Sequence, residues 1–220
     1  FEGYIGFIKK PINRDIRTKH QLYEIYKNDS NVNFNKYPYS FLDTKSDQFH
    51  LSGISNSQII HCNESGYYSK YNSDRYGFNN PDNQWNFDEV EYLLLGDSFL
   101  HGACVNRPND ISSVIRKLSN KIVLNLGMSG NSTLIQYAAL REYALEKKIK
   151  NIIVFFYEGN DLSELNKELS NEILLNYLHE EKFIQNLKLK QNFINNKIKK
   201  ELDKDFRNAR LDPRSIIIEF

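Results

Sequence analysis

Cysteine is nearly absent from this chain: Cys62 and Cys104 are the whole supply among 220 residues. Two sulfurs exclude a disulfide scaffold and a multi-cysteine zinc site, and the pair reads as two buried free thiols rather than a single bridge. Methionine and tryptophan occur once each, as Met128 and Trp85. The first residue is Phe1, so further sequence is expected upstream, where a signal or membrane anchor could stand. No apolar run approaches the roughly 20 residues that cross a bilayer, and no signal peptide is visible. An excess of one charge is also lacking. The 29 Lys and Arg are met by 28 Asp and Glu, for a net charge of +1. Phosphate binding needs clustered positive charge, so a nucleic-acid partner is not expected. The most basic stretch, 188–204, contains Glu201 and Asp203 and reads as a solvated helix face.

Several signature motifs are missing as well. There is no Gly-x-x-x-x-Gly-Lys phosphate loop and no Gly-x-Gly-x-x-Gly dinucleotide fingerprint. The residue two after Ser98 is Leu100, which excludes the Gly-x-Ser-x-Gly elbow. The five histidines, His20, His50, His61, His101 and His179, are scattered. No carboxylate–histidine spacing converges on one helix, so neither a metal nor a cofactor is expected.

What remains is an ordinary globular composition, 40% hydrophobic and 26% charged, long enough for one domain with a core or one domain with an appendage. Two regions differ. Residues 1–88 carry a helical pattern at 15–27 and then a stretch rich in Asn, Ser, Tyr, Gly and Pro, with short candidate strands at 57–62 and 67–71. They read as an irregular N-terminal extension packed on the remainder of the chain, with Tyr67, Tyr68, Tyr76, Phe78 and Trp85 supplying contacts. Residues 89–220 alternate strand and helix. Strands are expected at 91–95, 122–126 and 152–157, the last apolar on both faces and therefore buried in a parallel sheet. Helices are expected at 110–119, with Asp110 as N-cap, at 132–147, and over 162–204 in one or two pieces. Residues 215–220 read as a fourth strand, and the chain is expected to continue beyond it. The fold class is α/β with a parallel sheet built from βαβ crossovers.

The chemistry concentrates at three strand ends. Tyr92-Leu93-Leu94-Leu95 runs into Gly96-Asp97-Ser98-Phe99. The next strand runs into Asn125-Leu126-Gly127-Met128-Ser129-Gly130, and the third into Glu158-Gly159-Asn160-Asp161. Open parallel sheets place reactive groups at such carboxyl ends. Serine is a weak nucleophile that needs a base and oxyanion donors. Ser98 would supply the hydroxyl and its own backbone N–H. Gly130 would bring a second N–H close, and Asn160 a neutral amide.

Gly-Asp-Ser-Phe, then Asn-x-Gly-x-x-Gly, then Gly-Asn-Asp, in this order and each after a strand, resembles the SGNH (GDSL) hydrolase superfamily. The resemblance covers residues 90–162. It implies a flavodoxin-like three-layer α/β/α sandwich, Ser98 as nucleophile, and Gly130 and Asn160 as oxyanion donors beside the Ser98 amide. Asp97 and Asp161 then read as loop organisers. The stretch Ser73 to Pro81 is similar to members with an N-terminal extension found among bacterial proteins linked to polysaccharide modification. One block departs from the pattern. The family's base is a His three residues after an Asp, and no Asp-x-x-His follows Asn160. His179 reads as a helix-surface residue. Asp47-Gln48-Phe49-His50 has the spacing but precedes Ser98. His101, one helical turn past Ser98, reads as packing or supporting the site. His50 and His101 are therefore the candidate bases within this chain, and the chain alone is expected to turn over little substrate.

The motifs leave three function classes open. The first is a serine esterase that removes acyl groups, short ones above all, from carbohydrate or lipid through an acyl-enzyme. The second is an O-acyltransferase that passes the acyl group to a polysaccharide hydroxyl. The third is a non-catalytic protein of the same fold. The resemblance fits an extracytoplasmic or membrane-anchored protein, although nothing within these residues requires it.

Overall fold

The structure, a computed structural model, describes residues 14–44 and 46–211, with side chains to residue 209. The strand expected at 215–220 lies outside the described residues.

The N-terminal region opens with α1 (Lys19–Tyr26). Thr18 caps it and Gln21 returns a bond to the Thr18 amide, so two otherwise orphaned N–H groups are satisfied. A small sheet comes next, made of β1 (Val32–Phe34), β2 (Gln58–Ile60) and β3 (Lys70–Asn72). β1 and β2 run parallel, and β2 and β3 antiparallel. After β3, residues 73–81 form a turn organised by the buried Asp74. Its carboxylate accepts the amides of Tyr76 and Phe78 (both 2.9 Å), the Asn80 amide (2.9 Å) and the Trp85 indole N–H (2.7 Å). Phe78 and Trp85 are buried here, so the aromatic-rich stretch supplies core rather than a binding face.

The second region is the α/β part. β4 (Glu89–Leu95), β5 (Val123–Asn125) and β6 (Lys148–Val154) form an all-parallel sheet in the order β5-β4-β6. Between them run α2 (Ser98–His101), α3 (Ile111–Ser119) and α4 (Thr133–Tyr143). Then come α5 (Asp161–Glu168), α6 (Glu172–His179) and α7 (Gln191–Leu211). β4 is central and buried on both faces. Leu94 packs with Leu100 and Val123 against Ile111 and Ile115 of α3. Leu93 and Leu95 join a larger cluster with Ile135, Ala138 and Ala139 of α4. That cluster also takes in Phe34, Phe41 and Phe78 of the N-terminal region and Ile194 and Ile198 of α7, so one continuous core spans both regions.

Three expectations are corrected. β6 is not buried: Ile152, Ile153 and Val154 are 52%, 37% and 52% exposed. It is an edge strand, paired only with β4 among the described residues. An apolar run records what a strand can bury and not whether a layer lies on it. The expected helix over 162–204 is divided into α5, α6 and α7. Asn171 caps α6 by accepting the Leu174 amide at 3.1 Å, and Asn186 adopts a left-handed conformation before α7. Finally, Cys62 and Cys104 are not free thiols but form a disulfide. The end of β2 and the loop after α2 bring their Cα atoms to 5.0 Å, a proximity that 42 residues of separation conceal in the sequence.

Candidate active site

β4 ends at Leu95, and Gly96 and Asp97 turn the chain into α2, whose first residue is Ser98. Asp97 caps α2. Its carboxylate accepts the Phe99 amide at 3.1 Å and the Ser98 hydroxyl at 3.3 Å. A Cβ at Gly96 would lie 3.0 Å from the Cβ atoms of both Leu100 and Phe155, a tight fit that favours glycine at this turn. At Gly127 a Cβ would lie 2.9 Å from the His101 backbone nitrogen, so this glycine lets α2 rest directly on the β5 loop.

The three strand-end loops are laced together. Beyond the β4–β5 ladder, the Met128 amide donates to Gly96 O at 3.3 Å. The Gly130 loop reaches the β6 loop through Ser132, whose hydroxyl donates to Asp161 O at 2.5 Å. The Ser98 loop reaches the β6 loop through Phe99 and Tyr157, whose rings meet edge to face at 5.3 Å. The adjacency is also electrostatic. Burial is the main cause that raises the Asp161 and Glu164 carboxyls, and the negative charge of Asp97 adds to both.

Gly130 has φ +74, and the Asn131 amide donates to Met128 O at 3.2 Å. A positive φ at the third position of such a turn is the type II signature. Tyr37 and Tyr39 of the N-terminal region stand beside it, at 3.5 Å and 3.3 Å from where a Cβ would sit. The backbone N–H groups of Ser98 and Gly130 have no acceptor among the described residues. Asn160 precedes α5 and donates one amide hydrogen to Glu164 Oε1 at 3.1 Å, which leaves the second amide hydrogen to point elsewhere; its own Oδ1 is buried and unpaired. Asp161 accepts the Tyr157 amide at 2.7 Å and so fixes the loop that presents Asn160.

Neither candidate base meets Ser98. His50 is buried between Phe41 and Phe49, and both of its ring nitrogens lack a partner, so the Asp47–His50 pair does not form. Its pKa is pushed down to about 3, first by burial and then by Lys197 and Lys36. His101 is fully buried with its nitrogens turned to Tyr71 and Ser129, and burial followed by His61 holds its pKa well below the usual range. His179 lies exposed at the end of α6. Residue spacing proposed His50 and His101, but spacing does not encode which groups a fold turns toward a ring.

Other supporting residues were not singled out by the sequence. Asn80 accepts the Asn125 amide at 2.9 Å and donates to Asn125 O at 2.8 Å, pinning residues 73–81 to β5. Asn79 donates to His101 O at 2.9 Å, just past Ser98. Asn125 in turn donates to Leu100 O at 2.7 Å and accepts the Gly127 amide at 2.7 Å.

The chain matches no known protein-family model, no curated protein and no solved structure. Among the described residues no group of three or more His, Cys, Asp or Glu could hold a metal ion, and no helix is long and apolar enough to cross a membrane.

Proposed function

We propose that this protein is a serine ester hydrolase of the SGNH (GDSL) kind, built on a flavodoxin-like α/β/α sandwich and acting through an acyl-enzyme. The observation that carries the reading is the placement of the Ser98, Gly130 and Asn160 loops. They stand at the carboxyl ends of three neighbouring parallel strands, with Ser98 on the central one. In this reading Ser98 Oγ attacks the ester carbonyl and its proton passes to a base. The carbonyl oxygen becomes an oxyanion held by the Ser98 and Gly130 N–H groups and the second amide hydrogen of Asn160. The tetrahedral intermediate expels the alcohol, and water then releases the acid by the same route in reverse. Loss of one such donor typically costs roughly 2.7–4 kcal/mol in the barrier. The substrate class is an acyl ester of a carbohydrate or lipid. The Cys62–Cys104 disulfide supports an oxidising, extracytoplasmic setting.

A fluorophosphonate probe tests the reading. The protein should be labelled at Ser98, and Ser98→Ala should abolish labelling. Because no described histidine meets Ser98, labelling should be slow. Absence of labelling would leave a non-catalytic protein of this fold. With an acyl-ester donor and a sugar acceptor present, free acid should dominate; acylated sugar as the main product would make it an O-acyltransferase.

A further inference from the structure

His101 looks misplaced for a residue one turn past a reactive serine. It is fully buried, it does not face Ser98, and yet each of its ring nitrogens is engaged. The Ser129 amide donates to Nδ1 at 3.1 Å, Ser129 Oγ stands 3.0 Å from the same atom, and the Tyr71 hydroxyl lies 2.9 Å from Nε2. A nitrogen that accepts a backbone N–H carries no proton. The ring is therefore the neutral tautomer with its hydrogen on Nε2, directed at the Tyr71 oxygen. The charged and titratable groups around it are few. The His61 ring lies tilted against it with centroids 4.3 Å apart and reaches Ser129 Oγ through Nε2 at 3.3 Å, Tyr71 closes the other side, and neither supplies a counter-charge that would hold an imidazolium.

Ser129 and Gly130 are the two central residues of the type II turn, and that turn is distinguished from type I by the orientation of the peptide between them. The hydrogen on that peptide is the Gly130 N–H. With the Ser129 amide and hydroxyl both tied to His101, the residue that sets this peptide cannot rotate freely. We infer that His101 is a positioning residue: oriented through Nε2 by Tyr71, it locks the Ser129–Gly130 turn so that the Gly130 N–H is presented beside Ser98. The inference rests on the reading of Gly130 as an oxyanion donor. It also gives the N-terminal region a role in the site, since Tyr71 comes from β3 and His61 follows β2.

The test compares two substitutions that look alike. In His101→Asn the side-chain oxygen falls near the place of Nδ1 and keeps an acceptor for the Ser129 amide. In His101→Gln the amide reaches toward the place of Nε2 and leaves Nδ1 vacant. On the isotope-labelled full chain, long-range nitrogen–proton spectra should show His101 with its hydrogen on Nε2 at pH 7 and at pH 5. Amide exchange at Ser129, whose N–H is bonded to His101, should rise at least tenfold in His101→Gln and stay within threefold of the parent in His101→Asn, and the Gly130 amide resonance should move in His101→Gln and hold in His101→Asn. Tyr71→Phe, which keeps the ring volume, should raise the same exchange severalfold and serves if the glutamine variant does not fold. Fluorophosphonate labelling of Ser98 should follow the same ranking. Equal Ser129 exchange in the asparagine and glutamine variants, no change in Tyr71→Phe, or a proton on Nδ1 would overturn the assignment. If the exchange ranking holds but Ser98 is labelled in none of the proteins, the hydrolase reading fails and the positioning role stands.

Discussion

A buried imidazole with no partner is tolerated only while it stays neutral. His50 is such a residue: its pKa lies at about 3 in the fold, against an ordinary value of 6.5. The unfolded chain therefore takes up a proton below about pH 6.5 that the folded chain refuses. Stability is whole above that pH and is lost as pH falls from 6.5 toward 3. At pH 5 the loss is about 2 kcal/mol for one ring. His61, also pushed down to about 3 by burial, acts in the same direction. His50→Phe removes the titration and sacrifices no hydrogen bond, since neither ring nitrogen makes one. Urea unfolding of this variant should match the parent at pH 7.5 and exceed it by about 2 kcal/mol at pH 5. An equal fall in both proteins would show that the ring charges freely in the fold. At this scale the sequence revealed some residues and hid others. The positions of Ser98, Gly130 and Asn160 at strand ends were legible because each follows an apolar run that reads as a strand. The setting of His50 was not, because Lys197 comes to it from α7, far along the chain.

At the scale of elements, the N-terminus of α4 shows how a legible helix can depend on an illegible contact. The apolar spacing of Ile135, Ala138 and Ala139 announced the helix, and Ser132 stood in the capping position. Yet the Ser132 hydroxyl goes to Asp161 O instead of capping. Its place is taken by Glu168 from the end of α5, whose carboxylate accepts the amides of Ser132 (2.5 Å), Leu134 (3.0 Å) and Ile135 (3.1 Å). Four orphan donors are the normal state of a helix start, and here one distant acid satisfies three of them. Glu168→Ala would leave those donors buried and unpaired, at a cost of about 3 kcal/mol. Glu168→Gln, with one acceptor oxygen, should lose roughly half as much. Urea midpoints measure the cost, and amide exchange at Leu134 and Ile135 locates it. Exchange unchanged at both amides would remove Glu168 from the cap. By contrast α3 was readable from end to end, because its cap is local: Asp110 accepts the Ser113 amide at 3.0 Å. Elements whose partners lie within a few residues can be read from the sequence, whereas capping from another helix cannot. The exposure of β6 is the same lesson from the other side, since its apolar residues fixed its conformation and not its covering.

The whole molecule is held as one body by two devices that cross from the N-terminal region to the parallel sheet. The first is the shared core, in which Phe34, Phe41 and Phe78 pack in the same cluster as Leu93 and Ile135. The second is the Cys62–Cys104 disulfide, which closes a loop containing β3, the Asp74 turn, β4 and Ser98. A crosslink stabilises chiefly by restricting the unfolded chain, and the penalty it removes grows slowly with loop length. For a sequence separation of 42 residues the chain-entropy relation gives about 4 kcal/mol. Adding a reductant should therefore lower the urea midpoint of the parent by the equivalent of about 2–4 kcal/mol, a range typical of such bridges. The Cys62→Ser, Cys104→Ser double variant should start from that lower value and ignore reductant. Because the core is continuous, unfolding should remain a single transition in both proteins when followed by Trp85 fluorescence and by far-ultraviolet circular dichroism. Two separated transitions after reduction would mean that the bridge, not the shared core, joins the N-terminal region to the sheet. His61 adjoins Cys62 and packs against the His101 ring, so in that case the Gly130 turn would loosen with the first transition, while β4 stayed folded until the second.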